Sequence, residues 1–353
     1  MFAVLQAVHQ ILLANESPRT FRFLRVPVLV QQEILANMSF IDLFLFSTLS
    51  EKTKRIVRNF WVWRQLKVVI VFRSDDIHIL LPKDILQLKL RVCICPMPRL
   101  TTFFIKDSID FGANCVKYKQ DEVHQVLEIY WDNVIYGMET VGNLLFDLCP
   151  KTEISLHLCS KPMITMNPVI GWLKNKNVKK LKNLTVEGCL EGPIGVNIIL
   201  KNFEILERLA THVEHDYPSN PTDIPSNLEF LYIAHSRQLK LNHFFHINAK
   251  INYLFESSFT SGELNDLLKK WIEGETNDRM EYFLCIPVGE IDKRRVLAGI
   301  DGVLQSRDLK RAYKLSQLQT LYVSGGFDVR RRHDGALATV RWRGGFEMIV
   351  WTD

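Results

Sequence analysis

The sequence predicts a protein of class α+β or α/β, with three amino-terminal helices, an irregular strand/helix domain and a closing β-meander. Residues 21–60 carry apolar residues at helical spacing and almost no turn residues. From about residue 121, strand-like and helix-like segments alternate, which favours parallel strands covered by helices. Asp334-Gly335 and Gly344-Gly345 then separate short β-like runs, as the type I′ turns of hairpins do.

The composition is that of a soluble globular protein. The chain has 353 residues, of which 47% are hydrophobic and 24% are charged, and this length allows two domains. No apolar run reaches the length of a transmembrane helix, so we expect no membrane partner. The formal charge of +5 is mild for this length and gives no reason to expect a nucleic-acid partner.

The cysteines indicate a reducing compartment. Their number, seven, is odd, and no pair has the Cys-x-x-Cys spacing. A chain of this size does not need disulfides to fold, so reduced thiols are expected. We therefore expect a cytoplasmic or nuclear protein.

The residue pattern divides the chain into four parts. These are an amino-terminal extension (1–20), a helical region (21–60), a β-rich connecting region (61–120) and the strand/helix domain with its closing meander (121–353). The connecting region is rich in β-branched residues, in the runs 67–72, 77–81 and 90–94.

The strand/helix domain contains a loose internal repeat. Helix-like stretches at 134–148 and 261–272 lie between its strand-like segments. Three of the six segments fit the strand pattern Leu-x-x-Leu-x-(Leu/Ile/Val), but their spacing is irregular. The sequence therefore predicts a leucine-rich-repeat-like domain rather than a regular horseshoe. The six segments are 126–130, 154–158, 181–186, 228–233, 251–255 and 318–323.

Residues 21–60 carry start signals for three short helices. Pro27 suits the first turn of a helix, where a missing N–H costs nothing. Ser39 and Asp42 have the spacing of a capping box for a second helix, and Ser50 can cap a third. Such short helices cannot bury all their large apolar residues among themselves. The remainder packs either on the chain's own second domain or on another protein, and the pattern alone does not decide between these.

A family resemblance favours the second alternative. Residues 23–35 resemble the start of an F-box, although Val26 replaces the leucine that usually precedes the proline. Residues 45–57 resemble its second half, in the style of nematode F-box families. The rest of the chain resembles the F-box-associated type 2 domain. The segments that carry this second resemblance are Trp131, 262–271, 332–340 and 346–351.

The resemblance implies a non-enzymatic subunit of a cullin-based ubiquitin ligase, with no catalytic residue and no cofactor. In that family the F-box binds a Skp-type adaptor, which joins a cullin, and the second domain holds a target protein. The alternative is a protein-interaction scaffold outside protein degradation, with a degenerate F-box. The residues expected to bind the adaptor are Leu24, Pro27, Val30, Ile34, Leu35, Leu43, Leu45 and Leu49.

Two further patterns suggest a binding site but also have an ordinary surface or core interpretation. Arg330, Arg331 and Arg332 form a basic run that is either a solvated face or a contact for an acidic or phosphorylated target. The pairs His212/His215 and His243/His246 could bind zinc with Cys189 or Cys285. Because no Cys-x-x-Cys accompanies them, the sequence predicts no metal site.

Overall fold

The strands of this protein form one mixed sheet. The computed structural model describes residues 23–61, 67–73, 76–82, 88–97, 107–111, 114–121, 123–159, 166–187, 196–212, 223–315 and 319–351. The predicted extension (1–20) therefore lies outside the described residues. The described strands are β1 (Lys67–Phe72), β2 (Ile77–Pro82), β3 (Leu88–Pro96), β4 (Asp107–Phe111), β5 (Asn114–Asp121), β6 (Val126–Trp131), β7 (Glu153–Cys159), β8 (Lys180–Glu187), β9 (Glu204–Thr211), β10 (Phe230–Ile233), β11 (Ile251–Ser257), β12 (Tyr282–Pro287), β13 (Val303–Lys314), β14 (Thr320–Arg330), β15 (Leu337–Trp342) and β16 (Phe346–Trp351).

The described helices are mostly short. None of them is both long and apolar enough to cross a bilayer. They are α1 (Val28–Asn37), α2 (Phe40–Thr48), α3 (Glu51–Trp61), α4 (Val134–Leu148), α5 (Met166–Asn175), α6 (Val196–Asn202), α7 (Leu241–Phe244), α8 (Ser261–Glu273) and α9 (Lys293–Val296).

The centre of the sheet is parallel and its two ends are antiparallel. The strand order is β13-β14-β15-β16-β12-β11-β10-β9-β8-β7-β1-β2-β3-β6-β5-β4. Strands β7 to β12 follow one another in chain order and are all parallel, as the predicted alternation of strands and helices requires. Four of the connections within this block contain described helices, namely α5, α6, α7 and α8.

Two segments pair in ways that the residue pattern does not predict. The strands of the β-rich region at 61–120 belong to the same sheet as the strand/helix domain, because β1 pairs in parallel with β7 and β3 pairs in parallel with β6. Residues 320–323 of the segment predicted as a sixth repeat strand belong instead to β14 in the antiparallel hairpin with β13, so that prediction was wrong. The pairing of β1 with β7 joins distant segments, which local residue patterns do not encode.

The three amino-terminal helices begin where the sequence predicts. Pro27 is the N-cap of α1. The Ser39 hydroxyl accepts from the Asp42 N–H (3.1 Å), and the Asp42 carboxylate accepts from the Ser39 N–H (3.3 Å), which completes the capping box of α2. Before α3, the Ser50 hydroxyl accepts from the Thr53 N–H at 3.2 Å.

Helix α4 has the predicted bounds and packs closely on the sheet. The side chain of Asn133 caps it by accepting from the N–H groups of Ile135 (3.0 Å) and Tyr136 (3.1 Å). Gly137 lies where the helix meets the sheet. A Cβ atom there would lie 2.6 Å from the Trp131 ring and 2.8 Å from Ile94. This glycine is therefore required by close packing.

The carboxyl-terminal meander is confirmed, and β13 extends it. Strands β14, β15 and β16 are antiparallel neighbours, and β16 joins the meander to β12. The turns are not of type I′, which needs positive φ at two successive residues. Only Gly335 (φ +74°) and Gly344 (φ +78°) have positive φ at the two predicted turns.

We expect Gly137→Ala to lower the free energy of unfolding by about 1–3 kcal/mol, because the added methyl overlaps the Trp131 ring. Gly171→Ala is the matched control. It also lies in a helix, α5, but nothing lies within 4 Å of its added Cβ. That variant should be more stable by about 0.5–1 kcal/mol. Urea unfolding of both variants measures the difference, and equal effects would contradict the packing role of Gly137.

Candidate functional site

The first turn of α1 exposes apolar side chains. Val28 is 66% exposed, Leu29 78% and Val30 39%, and Pro27 before them is also exposed. Of the residues of α1, only Leu35 is buried. We call Pro27, Val28, Leu29 and Val30 the apolar first turn. An apolar helix surface that the chain's own core leaves uncovered indicates a site for another protein.

Helix α2 packs on the sheet and α3 packs on α4, and this leaves α1 outermost. Ile41 and Phe44 of α2 and Val57 of α3 are fully buried in the main hydrophobic core. The Phe44 ring lies 6.4 Å from that of Phe111 at the end of β4. Helix α1 contacts α3 but makes no comparable contact with the sheet among the described elements.

The eight residues predicted to bind the adaptor fall into different environments. Pro27, Val30 and Leu49 (72%) are exposed, and Ile34 and Leu45 are half-buried. The side chain of Leu24 lies outside what the structure describes.

Two of the eight are not available to a partner. Leu35 is 1% exposed and Leu43 is 2% exposed, because both pack into the core. Val28 and Leu29 are the exposed residues that the sequence reasoning missed. The sequence signal that could have identified them is the presence of apolar residues on every side of α1. A search for a single apolar stripe overlooks this pattern.

The parallel strands have a second exposed apolar surface, on the face opposite the helices. Along β10, Leu231 and Ile233 are buried in the main core, while the alternate residues Phe230 and Tyr232 are half-buried on the other face. The same alternation continues along β11 from Ile251 to Phe255, whereas on β12 both Tyr282 and Phe283 are buried. We call the aromatic side chains on this face the aromatic stripe: Phe230, Tyr232, Tyr253, Phe255, Tyr282 and Tyr313.

The rings of the stripe contact one another from strand to strand. The centroid distances are 6.1 Å for Tyr232–Tyr253, 5.3 Å for Tyr253–Tyr282 and 6.2 Å for Tyr282–Tyr313. At one end the Arg208 guanidinium lies 4.1 Å from the centre of the Phe230 ring, within range of a cation–π contact. The stripe is thus a continuous row of aromatic rings, half-exposed at Phe230, Tyr232, Tyr253 and Phe255 and buried at Tyr282 and Tyr313.

Buried polar contacts fix the inner end of the stripe. The Tyr282 hydroxyl donates to the Glu347 carboxylate at 2.8 Å, and the Arg341 guanidinium donates to the same carboxylate at 2.9 Å. Burial, together with the charge of Glu347, raises the pKa of the Tyr282 hydroxyl. This phenol therefore stays protonated and serves as a donor.

A cavity of about 570 Å³ on the same face holds several titratable groups, near β2, β3 and β6. It is lined in part by His78, Cys93 and Tyr130. Burial raises the pKa of the Cys93 thiol to about 12. Such a thiol is a poor nucleophile at neutral pH, because the thiolate is the reactive form.

The three arginines predicted to contact a target do not share one surface. Arg331 is only 7% exposed. Its guanidinium donates to the Asp334 carboxylate at 2.6 and 3.0 Å and to the Asp278 carbonyl at 2.9 Å, and it lies 5.0 Å from the centre of the Trp271 ring. These contacts give Arg331 a structural role and leave little of its side chain exposed for the predicted target contact.

The other two arginines are exposed but have neighbours of their own. Arg330 donates to the Gly335 carbonyl at 3.2 Å, and Arg332 lies 3.1 Å from the Glu273 carboxylate at the end of α8. They remain candidates for a target contact.

The histidine pairs considered for zinc do not form a described site. His215 and Cys189 lie outside the described residues. His246 uses its Nδ1 atom on the Asn242 carbonyl at 2.8 Å. Among the described residues, the cluster with metal-ligand geometry is instead His157, Cys159 and Glu187.

Comparison with known families decides which class of protein carries these surfaces. A model described as F-box domain matches residues 23–65, and a model described as F-box associated matches residues 220–285. The chain is an F-box protein. The F-box match covers α1, α2 and α3, and therefore the apolar first turn. The F-box-associated match covers β10, β11 and the first four residues of β12.

The match to the F-box-associated domain is shorter than the region assigned from the sequence, 121–353. It contains all the residues of the aromatic stripe except Tyr313. Comparison with curated proteins and with solved structures gave no match for this F-box protein.

We expect Arg331→Ala to lower the free energy of unfolding by about 2 kcal/mol, because it removes charged hydrogen bonds to Asp334 and Asp278. Arg330→Ala, at an exposed position next to it, should change the free energy by less than about 0.5 kcal/mol. Urea unfolding of the two variants measures both values. An Arg331→Ala protein as stable as the parent would remove the structural role given to this side chain.

Proposed function

We propose that this protein is the substrate-recognition subunit of a Skp–cullin–F-box ubiquitin ligase. Its apolar first turn contributes to binding a Skp-type adaptor, which joins a cullin, and its aromatic stripe binds the target protein. The observation that carries the proposal is the run of exposed aliphatic residues Val28, Leu29 and Val30 inside the F-box.

The energetics support a protein–protein contact at the apolar first turn. Full burial of a valine or leucine side chain is favourable by about 1.5–3 kcal/mol relative to exposure. This gain is available to a partner, because the side chains of the first turn are still largely in water. We include Pro27, Val30, Ile34, Leu45 and Leu49 of the predicted residues in the adaptor contact, and we add Val28 and Leu29.

The protein's contribution to ubiquitin transfer is then proximity. Holding a target beside a ubiquitin-charged enzyme raises the local concentration of its lysines near the thioester. No step requires a nucleophile or a metal-bound water from this chain, and we infer that it is not an enzyme. F-box and F-box-associated domains are typical of adaptor proteins, which agrees with this role.

The aromatic stripe has the composition of a recognition surface. Tyrosine and phenylalanine are enriched in protein interfaces, and they supply large contact areas with few rotatable bonds. Tyr232 and Phe255 are half-buried neighbours with a centroid distance of 5.3 Å, so they present a preformed apolar patch. We infer that the target is a protein segment that covers this patch.

We place the complex in the cytoplasm or nucleus. Cys115 is an exposed free thiol. Free thiols are typical of reducing compartments.

The variant Val28→Ala/Leu29→Ala/Val30→Ala should weaken binding of a purified Skp-type adaptor by at least about 100-fold, since buried interface anchors contribute about 1–3 kcal/mol each. Alanine favours the helix, so α1 should remain formed. Calorimetric titration of the full chain measures the affinity. The matched control is Val123→Ala/Val288→Ala, which truncates two exposed valines (87% and 62%) outside the F-box.

Unchanged adaptor affinity in the α1 variant would reject the docking role of the apolar first turn. If the parent chain itself does not bind the adaptor, the alternative holds, namely an interaction scaffold with a degenerate F-box.

The variant Tyr232→Ala/Phe255→Ala should keep adaptor binding and lose the target. Proteins whose ubiquitination requires the parent chain are identified by proteomics under proteasome inhibition, and their dependence on each variant is then measured. Tyr136→Ala/Tyr322→Ala is the control, because it removes two exposed tyrosines outside the stripe.

The opposite result is that targets are lost with Arg330→Ala/Arg332→Ala and retained with the stripe variant. Recognition would then lie at the carboxyl-terminal hairpins. That result would confirm the arginine prediction from the sequence and overturn the assignment to the stripe.

A further inference from the structure

Three side chains of metal-ligating type, two from β7 and one from β8, meet at the carboxyl ends of these strands. The Nε2 atom of His157 lies 3.3 Å from the Sγ atom of Cys159 and 3.3 Å from an Oε atom of Glu187. The three ligand atoms lie within 4.8 Å of one another. All three residues are half-buried, so water and ions reach them.

The register of the parallel strands produces this arrangement. His157 and Cys159 are two residues apart on β7, so their side chains point to the same face. Cys159 pairs directly with Glu187 on β8. The His-x-Cys spacing of one strand and the glutamate of its neighbour therefore converge through ordinary sheet geometry, without a local metal-binding motif.

One hydrogen bond from the Nε2 atom of His157 cannot serve both of its neighbours in this cluster. A neutral imidazole nitrogen is either a donor or an acceptor, so it carries at most one proton. Here the Nε2 atom of His157 faces both the sulfur of Cys159 and the carboxylate of Glu187 at 3.3 Å. If that nitrogen is deprotonated, its lone pair faces the negative carboxylate. A cation between the three atoms satisfies all of them.

The two distances from the His157 Nε2 atom, 3.3 Å to the Cys159 Sγ atom and 3.3 Å to the Glu187 carboxylate, fit a tetrahedral metal ion. Zinc binds nitrogen and oxygen ligands at about 2.0–2.2 Å and sulfur at about 2.3 Å, which places tetrahedral ligand atoms about 3.3–3.6 Å from one another. Imidazole, thiolate and carboxylate together are ligands that zinc accepts, whereas magnesium and calcium prefer oxygen ligands alone. We propose that His157, Cys159 and Glu187 bind a zinc ion, with water as the fourth ligand.

Two described positive charges act on the cluster: Arg208 on Glu187, and Arg73, which follows β1 beside β7, on Cys159. The charge of Arg73 reaches Cys159 and opposes a cation at this position. The site should therefore bind zinc less tightly than the same ligands would without the arginine, and Arg73→Ala should tighten it. This zinc site is independent of the ubiquitin-ligase proposal, since neither requires the other.

The test uses the full chain, purified with a tag that contains no histidine. After equilibration with zinc and removal of free metal, elemental analysis should find about one zinc per chain. Cys159→Ser and His157→Ala should reduce this to background. With cobalt in place of zinc, the parent should show a thiolate-to-cobalt charge-transfer band, and Cys159→Ser should lack it.

Controls separate this site from other thiols and histidines. Cys115→Ser removes an exposed cysteine, and His243→Ala/His246→Ala removes a histidine pair outside the cluster. Both should keep the zinc and the cobalt band, and circular dichroism should show every variant folded. Equal zinc content in the parent and Cys159→Ser, or a parent without zinc, would overturn the proposal.

Discussion

Packing of α2 against the β4 end of the sheet, together with packing of α3 on α4, is the contact on which the other features depend. Phe44 inserts beside Phe111, whose ring is in turn 5.8 Å from that of Trp131. This apolar contact joins the F-box helices to the sheet core as one hydrophobic cluster. Because α2 and α3 use their apolar residues in this way, α1 is left with its first turn in water. The same packing that stabilises the fold therefore creates the exposed surface.

This attachment also fixes the distance between the two recognition surfaces. The F-box helices lie at β4, and the aromatic stripe begins at β10, nine strands away in the sheet order. With neighbouring strands about 4.8 Å apart, the surfaces are separated by at most about 43 Å along the sheet. A continuous hydrogen-bonded sheet bends little compared with a flexible linker. In the proposed complex, a target held on the stripe would therefore lie at a defined distance from the adaptor.

The sequence predicted those features that depend on neighbouring residues. The capping box of Ser39 and Asp42 and the bounds of α4 needed only local patterns, and the structure has them as predicted. Pairing of β1 with β7 joins segments more than 80 residues apart, and no local pattern encodes it. The same distinction between local patterns and tertiary contacts applies to the candidate site. The exposed position of Val30 and the buried position of Leu35 follow from which side of α1 meets the core, and both are equally apolar in the sequence.

The apolar first turn and the aromatic stripe differ in how well their apolar groups tolerate exposure to water. The apolar first turn exposes aliphatic side chains that have no polar group, so they gain stability when a partner removes them from water. The stripe is built mainly from tyrosines, whose hydroxyl groups tolerate water while their rings remain available for contact. At its inner end, the hydrogen bonds of Glu347 hold Tyr282 in place. A long-lived contact with one constant adaptor suits the first surface, whereas a target that binds and leaves suits a surface that is stable in water when empty.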